Sequence, residues 1–136
     1  MFHVAYSPTP TPRPRPRLLT YADANNEASG SLYLDDEISL AHEDPTKPNF
    51  SLRRFRFSNG QLSCSAVGVV AGYAAPNSVE RVEIAGQASA PSRVTLSVGG
   101  AAPVDLQFFF DASGVVTVKK PDVKVTDDWT ITLAPR

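Results

Sequence analysis

The densest acidic cluster in the sequence is Asp35-Asp36-Glu37, which directly follows a short apolar alternation ending at Leu34. Acid/base catalysis by a pair of carboxyl groups needs both groups to face one substrate, about 5 to 10 Å apart. Neighbouring residues of a strand point to opposite faces, so Asp35 and Asp36 form a poor acid/base pair. Aspartates accept hydrogen bonds from nearby backbone N–H groups, which favours a turn-stabilising role. A cation site is the alternative, although no spaced carboxylates follow as an ion-binding loop requires.

A basic cluster follows in the next apolar run, where Arg53, Arg54 and Arg56 stand close together. Their guanidinium groups could contact carboxylates of a neighbouring domain, whereas the alternative is an ordinary solvated sheet face. The full set of candidate interdomain or ligand contacts is Arg53, Arg54, Arg56, Tyr33, Asp35 and Asp36. None of them is assigned a catalytic role.

The remaining reactive side chains are isolated from one another. The lone Cys64 cannot form an internal disulfide or a zinc knuckle, and a small buried side chain is expected there. His3 and His42 are too isolated for metal ligation, and Gly99-Gly100 is typical of a turn rather than a phosphate loop. The sequence therefore predicts no catalytic residue, no cofactor and no metal.

The composition fits one globular domain. The chain has 136 residues, of which 42% are hydrophobic, enough to bury a core. Thirteen basic and fourteen acidic residues leave a formal charge of -1, which disfavours nucleic-acid and membrane partners. No apolar run approaches the roughly 20 residues that cross a bilayer. Residues 1–6 lack the basic and long apolar regions of a signal peptide, so the compartment of the chain is left open.

Proline occupies every second position from Pro8 to Pro16, with Arg13, Arg15 and Arg17 interleaved. Proline fixes φ and removes a backbone donor, so this stretch is expected to be an extended polyproline-II segment outside the core. Residues 1–17 are therefore predicted to form a proline/arginine-rich leader, and residues 18–136 a globular module. A ligand for a proline-recognition domain, or a basic contact arm, is the alternative role of the leader.

From residue 18 onward, short alternating runs separated by turn residues predict an antiparallel, all-β sandwich of about eight or nine short strands. The runs cover residues 18–22, 31–35, 50–58, 61–67, 79–85, 93–98, 104–111, 115–119 and 128–133. They alternate with turn residues rather than with helical periods, which points to one β-module.

Two hairpins can be registered from the residues alone. Asn59-Gly60 predicts a two-residue type I′ turn, and Gly114 can take the left-handed position of a three-residue loop. The expected pairs are Ser58 with Gln61, Phe57 with Leu62 and Phe55 with Cys64 in the first hairpin, and Asp111 with Val115, Phe110 with Val116 and Phe108 with Val118 in the second.

The spacing of large side chains predicts the core. Phe55, Phe57, Phe108, Phe110 and Trp129 recur at strand periodicity, and the strand of Trp129, Ile131 and Leu133 is expected to close the core. Phe50 and Leu52 break the parity of Phe55 and Phe57, which predicts a bulge near Arg53-Arg54. The aromatic residues expected to lie outside are Tyr33, Tyr73 and Phe109.

Five short segments occur in the order found in the C-terminal β-sandwich module of glycoside hydrolase family 31 α-glucosidases. They are GSLYLDD (30–36), LRRFRF with the following Asn-Gly (52–60), VERVEI (79–84), VTVKKP (116–121) and DWTITL (128–133). The sequence resembles this family over about residues 18 to 133, with the greatest similarity to its glucosidase II branch. The resemblance implies a β-sandwich that follows a catalytic (β/α)8 barrel, whose catalytic aspartates match no segment of this chain.

The resemblance also implies a function. The expected role is a non-catalytic accessory module, or fragment, supporting a barrel that hydrolyses O-glycosyl bonds, in the endoplasmic reticulum lumen if the parent is glucosidase II-like. The expected partner is the catalytic barrel of the same or a parent polypeptide, with carbohydrate as a further candidate. A free-standing carbohydrate-binding or protein-interaction sandwich is the alternative, whereas the chain lacks the acid/base pair of an independent hydrolase.

Overall fold

The computed structural model describes residues 2–6, 16–34, 46, 49–68, 73, 74, 76 and 78–136. In these parts of the chain the regular structure consists of strands, which form two sheets around a shared apolar core. They contain no helix that is long and apolar enough to span a bilayer. The two sheets confirm the predicted all-β sandwich.

The described residues form eleven strands. In spatial order, the first sheet contains β1 (Phe2–Tyr6), β2 (Pro16–Tyr21), β6 (Ser78–Ala85), β10 (Val116–Lys124) and β9 (Phe108–Phe110). The second sheet contains β3 (Ala28–Leu34), β4 (Ser51–Ser58), β5 (Gln61–Ala66), β11 (Trp129–Ala134), β7 (Arg93–Val98) and β8 (Val104–Asp105). The described neighbours pair antiparallel, as predicted, except that β2 and β6 are parallel.

Both predicted hairpins are confirmed. Asn59 and Gly60 have φ values of 52° and 72°, as a type I′ turn requires. The first hairpin pairs Ser58 with Gln61, Phe57 with Leu62 and Phe55 with Cys64. The second turns at Gly114, with a φ of 80°, and the Asp111 N–H donates to the Val115 carbonyl. Its strands pair Phe110 with Val116 and Phe108 with Val118.

The predicted strand over residues 104–111 is instead two short strands in different sheets. The Leu106 N–H donates to the Val94 carbonyl at 2.9 Å, whereas the Gln107 carbonyl accepts from the Lys119 N–H at 3.0 Å. The backbone therefore changes partner sheet between Leu106 and Gln107, so β8 joins β7 and β9 joins β10. Hydrophobic alternation does not reveal such a change, because inward-facing side chains alternate on both sides of it.

β10 continues past its predicted end at Lys119. Its register against β6 shifts between Lys119 and Val123, and Lys120 and Asp122 have φ values of 46° and 52°. This bulge accommodates Pro121, which is buried and has no N–H to donate to the ladder. The prediction that the strand stops before the proline is wrong for this reason.

The predicted bulge near Arg53 and Arg54 is also wrong. β4 pairs with both of its neighbours in continuous register, and its core-facing side begins with the polar residues Ser51 and Arg53. Leu52 lies half-buried on the opposite face. The apolar pattern therefore misplaced the inner face at the start of this strand.

The first strands include part of the expected leader. Residues 2–6 pair with β2, from Phe2 opposite Thr20 to Tyr6 opposite Pro16, so the expected boundary between residues 17 and 18 falls inside β2. Pro16 opens the strand, a position where a missing N–H is tolerated. Residues 7–15 lie outside the described residues, and an extended segment there stays a prediction.

The core lies between the sheets, as the aromatic spacing predicts. Trp129, Ile131 and Leu133 are buried, which confirms that β11 closes the core. The rings of Phe55 and Trp129 are tilted against each other with centroids 6.2 Å apart. Phe108 and Phe110 are only half-buried and pack against the edge of this cluster.

Candidate functional site

Strand alternation separates the three arginines that the sequence places together. Arg53 is 2% exposed and faces the core, whereas Arg54 and Arg56 are exposed on the outer face of the second sheet. Successive strand residues point to opposite faces, so Arg53 cannot lie on the same face as Arg54 and Arg56. The predicted cluster is therefore divided. Arg53 belongs to an internal ion pair, whereas Arg54 and Arg56 form a separate cationic surface.

The Arg53 guanidinium joins β4 to the turn between β10 and β11. Its Nη2 donates to the Asp128 carboxylate and to the Asp127 carbonyl, both at 2.6 Å, and lies 3.6 Å from Cys64 Sγ. Burial opposes the charge, but hydrogen bonds to Asp128 and Cys64 outweigh it and raise the pKa of Arg53. Arg53 thus has a structural role, because its hydrogen-bond donors point into the domain.

The Cys64 thiol is part of the same buried network. Burial raises the pKa of Cys64 to about 11, although the hydrogen bond from Arg53 acts in the opposite direction. The thiol donates to the Val125 carbonyl at 3.4 Å. Because the thiolate is the nucleophile and the metal ligand, a thiol that stays protonated at neutral pH suits neither role. The small buried side chain predicted here is confirmed.

Arg54 and Arg56 form the centre of a polar surface on β3, β4 and β5. The register flanks Arg54 with Ser31 and Ser65, and Arg56 with Ser29 and Ser63. We call these six residues the arginine face. Neither guanidinium forms an ion pair with the described residues. Because arginine donors match carboxylate and phosphate oxygens, and serine hydroxyls can add further hydrogen bonds, this face is suited to an anionic partner.

A groove of about 770 Å³ runs along the β3 side of the arginine face. Asp23 and Glu27 lie at its wall, but both are engaged by their own neighbourhood. Asp23 Oδ1 accepts from the N–H groups of Asn25 and Glu27 at 2.8 and 3.0 Å, and Glu27 Oε1 accepts from Ser58 Oγ at 2.9 Å. Asp23 thus stabilises the turn before β3 and Glu27 bonds to β4, so among the described residues the two guanidinium groups have no carboxylate partner.

Tyr33 lies on the same outer face as Ser29 and Ser31, two positions further along β3. Its ring stacks on Phe50, with centroids 5.5 Å apart and planes at 22°, and Tyr33 is 48% exposed. The pair provides a flat apolar surface beside the arginine face. Phe109 is exposed as expected, whereas Tyr73 is half-buried.

Asp35, Asp36 and His42 lie outside the described residues. The turn role and the alternative cation site predicted for the two aspartates therefore stay predictions. In the part of the chain that the structure describes, no three His, Cys, Asp or Glu side chains are grouped as a metal site would require.

Sequence reasoning missed a second charged group, on the outer face of the first sheet. Glu83 Oε1 lies 2.5 Å from Arg17 Nη2 and 3.7 Å from Arg81 Nη1. The alternation of residues 79–84 could have placed Arg81 and Glu83 on one face. Arg17 joins them through the parallel pairing of β2 with β6, for which the sequence carries no turn signal.

Comparison with known proteins identifies the family of the chain. No family model matches the sequence. The chain is 36% identical over 107 residues to human neutral alpha-glucosidase AB, an alignment that covers 78% of this chain and 11% of the human protein. By homology, the chain is a module of the glycoside hydrolase family 31 α-glucosidases. It spans about a tenth of the length of this relative, so most of the family 31 enzyme has no counterpart in it.

Solved structures share the fold of this chain. The glucosidase II alpha subunit in its alpha3-Glc2-bound form superposes with a TM-score of 0.72 at 22% identity, over 88% of this chain and 14% of that one. The ER glucosidase II heterodimeric complex of catalytic subunit and regulatory-subunit binding domain gives 0.67 at 22% identity, over 88% and 14%. At these identities the likeness establishes the fold alone, whereas the identity to the human relative confirms the resemblance read from the sequence.

Proposed function

We propose that the chain is the non-catalytic, C-terminal β-sandwich module of a family 31 glycoside hydrolase, and that its arginine face packs against an acidic surface of the catalytic barrel. The supporting observation is a pair of exposed guanidinium groups, each flanked by serines on both neighbouring strands and without a carboxylate partner among the described residues. Charges arranged in this way fix the orientation and choice of a partner more than they add affinity.

The non-catalytic role is supported by how five of the described carboxylates are used. Asp128, Asp105 and Glu83 are ion-paired with arginines, and Asp23 and Asp111 accept backbone N–H groups in turns. Glycoside hydrolysis needs two carboxyl groups directed at one sugar. We therefore assign the hydrolysis of O-glycosyl bonds to the barrel, in the endoplasmic reticulum lumen if the parent enzyme resembles glucosidase II.

A chimera tests this role. In human neutral alpha-glucosidase AB the matching segment is replaced by residues 16–136 of this chain, which keep β2 intact, and the chimera is compared with the same enzyme lacking the segment. The chimera is expected to remain soluble and to hydrolyse an α-glucoside, whereas the deletion loses both properties. A deletion that keeps full activity and full thermal stability would overturn the accessory role.

Charge reversal then tests the arginine face. Arg54→Glu with Arg56→Glu should lower the Tm of the chimera but leave the Tm of the isolated chain nearly unchanged, because both side chains are exposed in the isolated module. Lys124→Glu with Arg136→Glu makes the same change in charge at two other exposed positions and is the matched control. Equal effects of the two pairs on the chimera would contradict the assignment of this face.

A free-standing carbohydrate-binding or protein-interaction sandwich is the second candidate, and the half-exposed Tyr33–Phe50 stack favours it. A sugar ring can lie on such an aromatic surface. NMR titration of the isolated chain with an α-linked gluco-oligosaccharide separates the candidates. Saturable shifts around Tyr33 that disappear in Tyr33→Ala would support sugar binding, and their absence at millimolar sugar would reject it.

A further inference from the structure

A row of three cations crosses the outer face of the first sheet. The register sets Arg17 opposite Arg81, and Arg81 opposite Lys119. Their chain neighbours Leu18 and Val118 are buried, which directs the three charged side chains outward. Adjacent strands are about 4.8 Å apart, so the three Cα atoms span about 10 Å. We call these residues the cationic row.

The positive charge of the cationic row is only partly neutralised by carboxylates of the described residues. Glu83 contacts Arg17 and Arg81, while Lys119 is exposed and takes part in no described ion pair. Arg17 Nε is buried and has no hydrogen-bond acceptor in the part of the chain that the structure describes. Like charges at directly opposed strand positions destabilise a sheet. The row therefore presents excess positive charge at the surface.

An exposed aromatic side chain lies beside this charge. Phe109 is 57% exposed, and its strand position is opposite Thr117, two residues from Lys119 on β10. A large apolar side chain next to uncompensated cations is a combination found at protein interfaces, where aromatic residues and arginine are enriched.

We propose that the cationic row and Phe109 form a second docking surface, which binds an extended acidic segment of polypeptide. In an extended chain every second side chain lies on the same face, about 7 Å apart, so two carboxylates fit along the row. The Phe109 ring can pack against the aliphatic part of an acidic side chain of the segment. This surface is on the other sheet from the arginine face and does not depend on the proposed role of that face.

The test uses a capped hexapeptide in which glutamate and threonine alternate, and a matched peptide with glutamine in place of glutamate. Titration of the isotope-labelled chain at low salt is followed by NMR. The glutamate peptide is expected to shift resonances of β2, β6 and β10, whereas the glutamine peptide leaves them unchanged. Arg81→Gln with Lys119→Gln should weaken binding about tenfold, since exposed ion pairs contribute about 0.2 to 1 kcal/mol each.

Arg54→Gln with Arg56→Gln is the control and should bind the glutamate peptide as the unmodified chain does. Lys119→Gln alone, at an exposed site, provides a variant whose folding is not in question, and it should weaken binding about threefold. The proposal is overturned if the glutamate peptide does not bind, if its shifts map to β3 and β4, or if a DNA duplex of equal charge competes more strongly at the same residues.

Discussion

The Arg53 guanidinium donates to the Asp128 carboxylate at 2.6 Å across 75 positions of sequence. The two ends of this pair differ in environment, because the Arg53 side chain is 2% exposed and that of Asp128 is 65% exposed. A carboxylate at the surface thus compensates a cation in the interior, and it ties β4 to the turn that precedes β11.

Asp128→Asn should lower the free energy of unfolding by about 1 to 3 kcal/mol, because it leaves a buried charge with weaker neutral partners. Urea denaturation measures the change. Asp127→Asn is the matched control, since Asp127 contacts Arg53 through its backbone carbonyl alone. Equal loss of stability in the two variants would contradict the proposed importance of the ion pair.

The pKa of Cys64 predicts a loss of stability at alkaline pH. The thiol has an ordinary pKa of 9.0, and burial raises it to about 11 in the folded chain. The folded state holds this proton more tightly, so the stabilisation is complete below about pH 9 and is lost as pH rises from about 9 to about 11. A shift of about two pKa units corresponds to a loss of roughly 3 kcal/mol. In urea titrations across this range the stability gap between the natural chain and Cys64→Ala should narrow. A constant gap would contradict the shift.

Trp129→Ala should destabilise the domain by about 3 to 5 kcal/mol, because it removes a large buried ring from the contact with Phe55. Trp129→Phe should cost less, since the Nε1 of Trp129 has no hydrogen-bond partner among the described residues. Phe109→Ala, at a largely exposed ring, serves as the control for aromatic removal. Calorimetric melting checks the order, and an unchanged Tm for Trp129→Ala would reject the core assignment.

Gly114→Ala and Gly99→Ala separate backbone strain from steric overlap. Both glycines have positive φ, but a Cβ at Gly114 would lie 2.7 Å from the Gln87 carbonyl oxygen, whereas a Cβ at Gly99 meets nothing within 4 Å. We expect Gly99→Ala to cost about 1 kcal/mol from conformation alone, and Gly114→Ala clearly more. Similar denaturation midpoints for the two variants would contradict the close approach of the hairpin to Gln87.

Local sequence signals predicted the fold correctly where a residue type has a single conformational effect. Asn59-Gly60 specified both the turn and the register that sets Phe55 opposite Cys64. These signals failed where the partner of a strand is chosen at long range. The change of sheet at Leu106 and Gln107, and the continuation of β10 through Pro121, both depend on strands that are distant in sequence.

The sequence predicted which residues form the candidate site, but not which side of the sheet each of them faces. The sequence singled out Arg53 with Arg54 and Arg56, yet hydrophobicity cannot indicate that a guanidinium faces the core, because burial there depends on Asp128, far along the chain. On the β5 side the hairpin register predicts that Ser63 and Ser65 share the outward face with Arg54 and Arg56, and the observed pairing confirms it.

The most direct test of the account is arginine modification with phenylglyoxal, applied to the isolated chain and to the human alpha-glucosidase chimera and mapped by mass spectrometry. The account predicts that Arg54 and Arg56 react readily in the isolated chain and become protected in the chimera, while the exposed Arg136 reacts equally in both. Equal reactivity of Arg54 and Arg56 in the two proteins would contradict docking of the arginine face on the catalytic domain.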